Sequence, residues 1–216
     1  MIRVTPASEP STFNDRVRVP GLRAIAEMIG EIPLRAAGRR FKKVAGRRED
    51  IPSSSFPAYW TDALDDLMRA YRQICSYSCF RIHPVTGGVS ADHFAAKSRK
   101  WDKVYEWSNY RLACTRLNAR KKDFGDVLDP FKIGKDWFQL ELVGFQVIPN
   151  PKLNKATRDQ VQQTIDRLRL DDFRRSRERD AENYWAGEIS LNVLTEESPF
   201  VAQELRRQGR LNPGDV

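Results

Sequence analysis

The chain has 216 residues, of which 40% are hydrophobic and 31% are charged, a balance that indicates a globular protein and excludes a disordered one. Its formal net charge of +8 and pI of about 9.6 favour a polyanionic partner such as nucleic acid, although charge alone does not establish one. No apolar run approaches the roughly 18 residues that cross a bilayer, and the amino terminus lacks the apolar stretch of a signal peptide, so we expect a cytoplasmic protein with no membrane partner.

The amino-terminal segment is predicted to be an extended arm followed by a short helix. Pro6, Pro10 and Pro20 interrupt the first residues and disfavour a packed element. Apolar side chains then recur at helical spacing in residues 21–32. The strongly basic residues 39–50 follow, and we expect them to be solvent-exposed.

The clearest helix is predicted to begin near Thr61, which offers a cap, and to lead to Cys75. Its first turn contains three acidic residues, which favour a helix amino terminus, and an apolar stripe follows: Leu64, Leu67, Met68, Tyr71 and Ile74. Two short strands, residues 79–83 and 89–94, are predicted next, because paired glycines between apolar runs indicate a hairpin.

A polar loop, residues 96–107, separates this hairpin from another helix. Ser108 or Asn109 can cap that helix, which is predicted to span residues 110–122. The predicted order is therefore hairpin, loop and helix.

The carboxy-terminal part is predicted to contain a second hairpin and three helices. The hairpin covers residues 137–148 around Gly144, and Thr157 opens a helix with Val161, Ile165 and Leu168 inward. The charged residues 171–187 and 198–209 are typical of exposed helices. We expect three segments: an arm with a basic helical segment (1–57), the hairpin–helix core with its lead-in helix (58–135), and a hairpin with helices packed on that core (136–216).

Four polar side chains mark the predicted hairpin, loop and helix. Asp92 and His93 close the second strand, Asn109 opens the helix, and Asn118 follows one helical segment later, before a basic run. This pattern resembles the HNH, or ββα-metal, nuclease family over residues 92–123. The resemblance implies an α+β fold in which a ββα-metal core is embedded in a mostly helical domain with a second small hairpin.

The resemblance also assigns a role to each landmark. It implies that His93 is the general base that activates water, and that Asp92 and Asn118 hold one divalent cation against the scissile phosphate. It implies that Asn109 braces the loop and orients His93. The implied activity is metal-dependent endonucleolytic hydrolysis of DNA phosphodiester bonds.

These residue types also suit that chemistry on physical grounds. Phosphodiester hydrolysis needs an activated water and stabilisation of negative charge, and a histidine with a pKa near 6.5 can accept the proton. Carboxylate and amide oxygens favour Mg²⁺, with Mn²⁺ as an alternative. Neighbouring strand residues point to opposite faces, so Asp92 and His93 can share a site only if the strand ends or bends there.

Basic and aromatic residues surround the landmarks. We expect six basic side chains to contact phosphates, the alternative being a solvated basic face: Lys97, Arg99, Lys100, Arg120, Lys121 and Lys122. Trp101, Tyr105 and Trp107 can stack on bases, but packing of the loop onto the hairpin is the favoured interpretation.

Within the HNH family, residues 92–121 resemble the retron-associated and Septu-type proteins of anti-phage defence. Such proteins often carry two CxxC pairs that bind a structural zinc. Here Ser78 and Leu117 stand where two of the four thiols would be. The resemblance further implies an ATPase or another defence-system protein as partner.

The cysteines are therefore predicted to be free thiols, without a structural zinc. Cys75, Cys79 and Cys114 are an odd number in a chain too large to need disulfides. With His83 they would make only an improvised ligand set, and buried thiols are the favoured interpretation. His83 itself is predicted to be a surface histidine beside the turn.

Three other interpretations remain open. Asp92 and His93 can be a turn aspartate beside a structural histidine. The whole chain can likewise be a catalytically silent nucleic-acid-binding module, or an assembly subunit that uses its carboxy-terminal helices.

Overall fold

A pair of strands followed directly by a helix lies at the centre of the fold. The computed structural model describes residues 1–31 and 40–216. Strand β1 (Val89–His93) pairs antiparallel with β2 (Tyr110–Cys114), and helix α3 (Thr115–Lys121) continues from β2 without a loop. The described fold is α+β, with helices around two small antiparallel hairpins.

The prediction that residues 79–83 form a strand paired with β1 is wrong. Residues 79–83 form only one isolated bridge, between Arg81 and Ile74, and Cys79 has a φ of 58°, which breaks an extended strand. The paired glycines serve close packing instead of a tight hairpin. A Cβ on Gly88 would come within 2.3 Å of the Thr115 hydroxyl oxygen, so glycine lets the start of α3 approach β1.

The predicted helix over residues 110–122 is only half correct. Its first half is β2, and α3 begins at Thr115, so neither Ser108 nor Asn109 caps it. Tyr110, Leu112 and Ala113 of β2 are fully buried. Pairing with β1 supplies the backbone hydrogen bonds of these residues. A short apolar run in a sequence fits either a helix or a buried strand, so the sequence did not distinguish the two.

The first residues are packed, contrary to the prediction of an extended arm. Met1 is 4% exposed, Ile2 N donates to Cys79 Sγ at 3.3 Å, and Val4 N donates to the carbonyl of Pro130 at 2.9 Å. A π-helical turn leads into α1 (Val19–Met28), and Pro20 lies in its first turn, where a proline loses no helical hydrogen bond.

Parts of two predictions fall on residues 32–39, outside the described residues. These are the last residue of the helix predicted over 21–32 and the first residue of the basic stretch. The described part of that stretch, residues 40–50, is mostly exposed, as predicted.

The helix predicted near Thr61 is present but begins later. A 3-10 turn (Tyr59–Ala63) precedes α2 (Leu64–Ala70), and the Thr61 hydroxyl donates to the carbonyl of Ala58 instead of capping the helix. Positive φ angles at the two residues after Tyr71 end the helical path. Leu67 and Tyr71 of the predicted stripe are buried.

The second predicted hairpin is confirmed. Strands β3 (Phe138–Leu140) and β4 (Val147–Pro149) pair antiparallel, and the Glu141 carboxylate accepts three backbone N–H bonds across the turn, from Val143, Gly144 and Gln146. Helix α4 (Lys155–Leu168) follows, with Asn154 rather than Thr157 as its cap. Val161, Ile165 and Leu168 are buried, as predicted.

The last helices are more buried than their charge indicates. They are α5 (Arg174–Trp185), α6 (Leu191–Glu197), which the sequence did not suggest, and α7 (Pro199–Arg207). The buried Glu204 of α7 accepts from Leu140 N of β3 at 2.8 Å. Arg120 of α3 donates to the carbonyl of Leu168 in α4, so the carboxy-terminal part contacts the central unit. Within the described ranges, no helix combines the length and apolar character needed to span a bilayer.

Candidate active site

A polar cavity of about 430 Å³ opens where β1 meets α3. Its lining includes Ser90, Asp92, His93, Lys97, Asn118 and Lys122. Three of the four predicted landmarks, Asp92, His93 and Asn118, therefore lie around one cavity. Asn109 does not line it.

The end of β1 lets neighbouring residues face the same space. The strand stops at His93, and the backbone bends at Phe94 and Ala95. Phe94 N donates to the carbonyl of Asn109 at 2.9 Å, which closes the loop between the two strands. Neighbouring strand residues can share a site only if the strand ends or bends there, and β1 does so directly after His93.

The His93 imidazole is held by one ring nitrogen. Nε2 lies 2.9 Å from the carbonyl oxygen of Val104, and Trp60 and Tyr110 pack edge-on against the ring, with centroids 4.8 and 5.1 Å away. A carbonyl only accepts hydrogen bonds, so Nε2 must carry the proton. The Nδ1 atom then keeps a lone pair that can accept a proton.

The surroundings of His93 keep the ring neutral. Burial lowers its pKa to about 3, and the positive charge of Lys97 acts in the same direction. The imidazole is therefore unprotonated near neutral pH, the state that a general base requires.

The Asp92 side chain is buried and held from two sides. Tyr77 Oη donates to Oδ2 at 2.5 Å, and Lys121 Nζ donates to Oδ1 at 3.0 Å. Burial raises the pKa of Asp92, while the charge of Lys121 and the Tyr77 hydrogen bond oppose that rise. Burial and the neighbouring Asp92 also raise the pKa of Tyr77 well above its ordinary value, so Tyr77 stays a donor.

The Asn118 side chain is oriented by Ser90. Its Nδ2 donates to Ser90 Oγ at 2.5 Å. In the chain as described, no residue donates a hydrogen bond to its amide oxygen. That oxygen is the end of the side chain available to a cation or a water.

Asn109 braces the loop between β1 and β2. Its Oδ1 accepts from Ala95 N at 2.7 Å, and its Nδ2 donates to the carbonyls of Ala95 and Lys103 at 3.0 and 2.9 Å. Lys103 directly precedes Val104, whose carbonyl holds His93. The bracing predicted for Asn109 therefore has a direct geometric basis, although the residue opens no helix and lies outside the cavity lining.

Asp92 and Asn118 are the two predicted cation ligands that line the cavity. Mg²⁺ usually keeps several waters and takes only one or two protein carboxylates. A carboxylate offers about four acceptor positions, and Lys121 and Tyr77 use two of those on Asp92. Asn118 adds an amide oxygen. Over residues 1–31 and 40–216, no group of three or more His, Cys, Asp or Glu residues is placed to hold a metal ion.

The six basic residues predicted to contact phosphate occupy different environments. Lys97 and Lys122 line the cavity, and Lys97 Nζ lies 4.1 Å above the Trp60 ring. Arg99 and Lys100 are exposed nearby.

The other two basic residues are already engaged within the protein. Arg120 forms an ion pair with Asp172. Lys121 is 1% exposed, so the prediction that it contacts phosphate needs correction: burial against Asp92 removes it from the surface.

The aromatic residues of the loop mainly pack, as favoured from the sequence. Tyr105 and Trp107 are buried, and Trp107 Nε1 donates to the carbonyl of Ala7 at 2.9 Å. Trp101 is half-buried, with the Arg48 guanidinium over its ring.

The cysteines lie behind the hairpin. Cys75 and Cys79 are buried, whereas Cys114 is only half-buried, and Cys114 N donates to Cys75 Sγ at 3.4 Å. Leu117, which stands where a thiol of the zinc-binding relatives would be, is fully buried. His83 is exposed at the turn, where its Nδ1 accepts from two backbone N–H groups at 3.3 Å.

Sequence reasoning missed three residues that shape the site. Tyr77 and Ser90 orient the predicted ligands, and Trp60 packs against His93. Ser90 lies two residues before Asp92 on β1, so alternation along the strand is a signal that could have found it. Tyr77 and Trp60 come from distant segments, for which the sequence offers no local signal.

Two comparisons with known proteins found no match. No protein-family model matches the sequence, and no curated protein matches it significantly.

Proposed function

We propose that this protein is a metal-dependent endonuclease of the HNH type that hydrolyses phosphodiester bonds of DNA. One observation carries the proposal: the His93 imidazole, with Nε2 held by a backbone carbonyl, shares a polar cavity with the oxygen-bearing side chains of Asp92 and Asn118.

In the proposed reaction, His93 Nδ1 accepts a proton from the attacking water. The Val104 carbonyl fixes the ring orientation by accepting from Nε2, which leaves Nδ1 as the ring nitrogen with a free lone pair. General-base assistance of this kind contributes about 10²–10⁴-fold to a rate.

The remaining residues position the substrate and balance its charge. A divalent cation held by Asp92 and Asn118 would neutralise charge on the phosphate and on the leaving oxygen. Lys97 and Lys122 at the cavity would hold neighbouring phosphates, a role that carries little base specificity.

The direct test incubates purified protein with plasmid, linear DNA and RNA, each with Mg²⁺, Mn²⁺ or a chelator. We expect metal-dependent DNA cleavage that falls by about 10²-fold or more in His93→Ala, while DNA binding persists. His83→Ala removes the other histidine and is the matched control, which should cleave as the wild type does. Equal cleavage by His93→Ala and His83→Ala would refute the proposal.

A second candidate is a catalytically silent nucleic-acid-binding or assembly subunit. The observation that favours it is the pairing of Asp92 with a buried lysine, which supplies a structural reason for the carboxylate without any metal. Such a protein would bind DNA without any metal-dependent cleavage, so the same substrate panel separates the two candidates.

The resemblance to Septu-type proteins extends the proposal to anti-phage defence beside an ATPase or another defence protein. Co-expression with the proteins encoded next to it, followed by affinity purification, tests this extension. Full cleavage by the isolated chain, with no stable complex, would remove its support.

A further inference from the structure

Lys121 is the most enclosed positive charge beside the cavity. Its side chain is 1% exposed and that of Asp92 is 2% exposed. The ammonium donates to Asp92 Oδ1 at 3.0 Å and to the backbone carbonyls of His93 and Phe94 at 3.1 and 3.2 Å. These bonds use all three of its hydrogens, so the charge has a fixed position.

The helix that carries this charge also carries a proposed cation ligand. Asn118 and Lys121 are three residues apart on α3, a spacing that puts them on neighbouring positions of one helix face. Both side chains reach β1, where Asn118 contacts Ser90 and Lys121 contacts Asp92. A divalent cation bound by Asp92 and Asn118 would therefore lie beside a fixed ammonium.

The Lys121 ammonium disfavours binding of the cation when no phosphodiester is present. Charges that are out of water are screened weakly, so the ammonium repels a second cation on the same carboxylate. The Tyr77 hydrogen bond further reduces the electron density that Asp92 can offer. A phosphodiester brings negative charge to the same place and offsets the repulsion.

We propose that Lys121 is a built-in counter-ion of Asp92, which keeps the cation affinity of the free site low and makes the cation and the phosphodiester bind together. This inference rests on the proposed function, because it assumes that Asp92 is a cation ligand. The coupling is reciprocal, so the cation raises the affinity for the phosphodiester by the same factor.

The first test measures Mn²⁺ binding to the free protein by electron paramagnetic resonance. Lys121→Gln removes the charge and keeps an amide donor, and we expect it to bind Mn²⁺ about tenfold tighter than the wild type. Adding Asp92→Asn should abolish the gain. Lys152→Met makes the same change of net charge at an exposed lysine outside the cavity lining, and should match the wild type. Equal affinity of Lys121→Gln and wild type overturns the inference.

A second test is needed because Lys121→Gln leaves part of a buried site unpaired, and the variant can fail to fold. Circular dichroism checks the fold first. The second test uses His93→Ala, which keeps Lys121, and compares its Mn²⁺ affinity with and without a short DNA duplex. We expect an increase of about tenfold with the duplex. The double variant Asp92→Asn, His93→Ala corrects for Mn²⁺ held by DNA itself, and equal affinities after that correction contradict the inference.

The two proposals fail in distinguishable ways. If the protein cleaves no nucleic acid, the proposed function fails, and the Lys121→Gln measurement still decides the inference because it needs no substrate. If cleavage occurs while wild type and Lys121→Gln bind Mn²⁺ equally, only the inference fails.

Discussion

At the level of single residues, the site contains a histidine whose burial lowers its pKa. His93 is 8% exposed and lies between two aromatic rings. Burial lowers its pKa to about 3, from an ordinary value of 6.5. Between these two values the unfolded chain binds a proton at this residue and the folded chain does not.

This difference predicts a pH dependence of stability. The free energy of unfolding should fall as the pH drops below about 6.5, because proton binding then favours the unfolded chain. Between pH 6.5 and about pH 5, His93 should cost the wild type about 2 kcal/mol. His93→Asn should remove this pH-dependent loss of stability. The measurement is the free energy of unfolding from urea denaturation at each of the two pH values.

The control for this measurement is the other histidine. His83 is exposed at a turn, so His83→Asn should keep the wild-type pH dependence of the free energy of unfolding. If His93→Asn keeps it as well, burial of a neutral imidazole is not the source of the pH dependence.

At the scale of elements, the loop between β1 and β2 determines where His93 points. The loop contributes the Val104 carbonyl, and Asn109 ties the loop to itself through three hydrogen bonds. The orientation of the proposed base therefore depends on a residue that does not face the cavity. In the proposed reaction, Asn109 is a positioning residue.

Asn109→Ala should lower both stability and cleavage. It removes the partner of the half-buried Ala95 N–H and carbonyl and one of the two donors to the Lys103 carbonyl, which costs about 1–3 kcal/mol. We expect a lower midpoint in urea denaturation, together with slower cleavage at a pH and temperature where the variant remains folded.

Asn150→Ala is the matched control for Asn109→Ala. Asn150 accepts from Lys152 N at 2.9 Å and donates to the carbonyl of Asp136 at 3.0 Å, outside the cavity lining. The control should lose stability and keep its cleavage rate when folded. Wild-type cleavage by folded Asn109→Ala would show that the brace has no part in orienting His93.

At the scale of the whole molecule, convergence of Asp92, His93 and Asn118 could be predicted from the sequence, whereas the path of the chain between them could not. The resemblance of these polar landmarks to the HNH pattern implied their convergence. Residues 110–114 are a short apolar run that fits a helix or a strand, and their partner strand lies across a loop of 16 residues. Non-local pairing decided the outcome.

The burial of charged and terminal residues could not be predicted from the sequence either. Lys121 belongs to a basic run, and only the folded chain shows that it turns inward while Lys122 stays exposed. Met1 is buried, and the neighbouring Ile2 N donates to Cys79 Sγ, far along the chain. The three predicted segments remain a prediction, although contacts such as that of Leu140 with Glu204 join parts of the carboxy-terminal region.

Chemical rescue shows whether the His93 imidazole is the base in the proposed metal-dependent DNA cleavage. His93→Ala leaves space where the ring was, so added imidazole should restore part of the Mg²⁺-dependent plasmid cleavage that the variant loses. The same addition should leave His83→Ala unchanged. Undiminished cleavage by His93→Ala without imidazole would show that His93 is not the base.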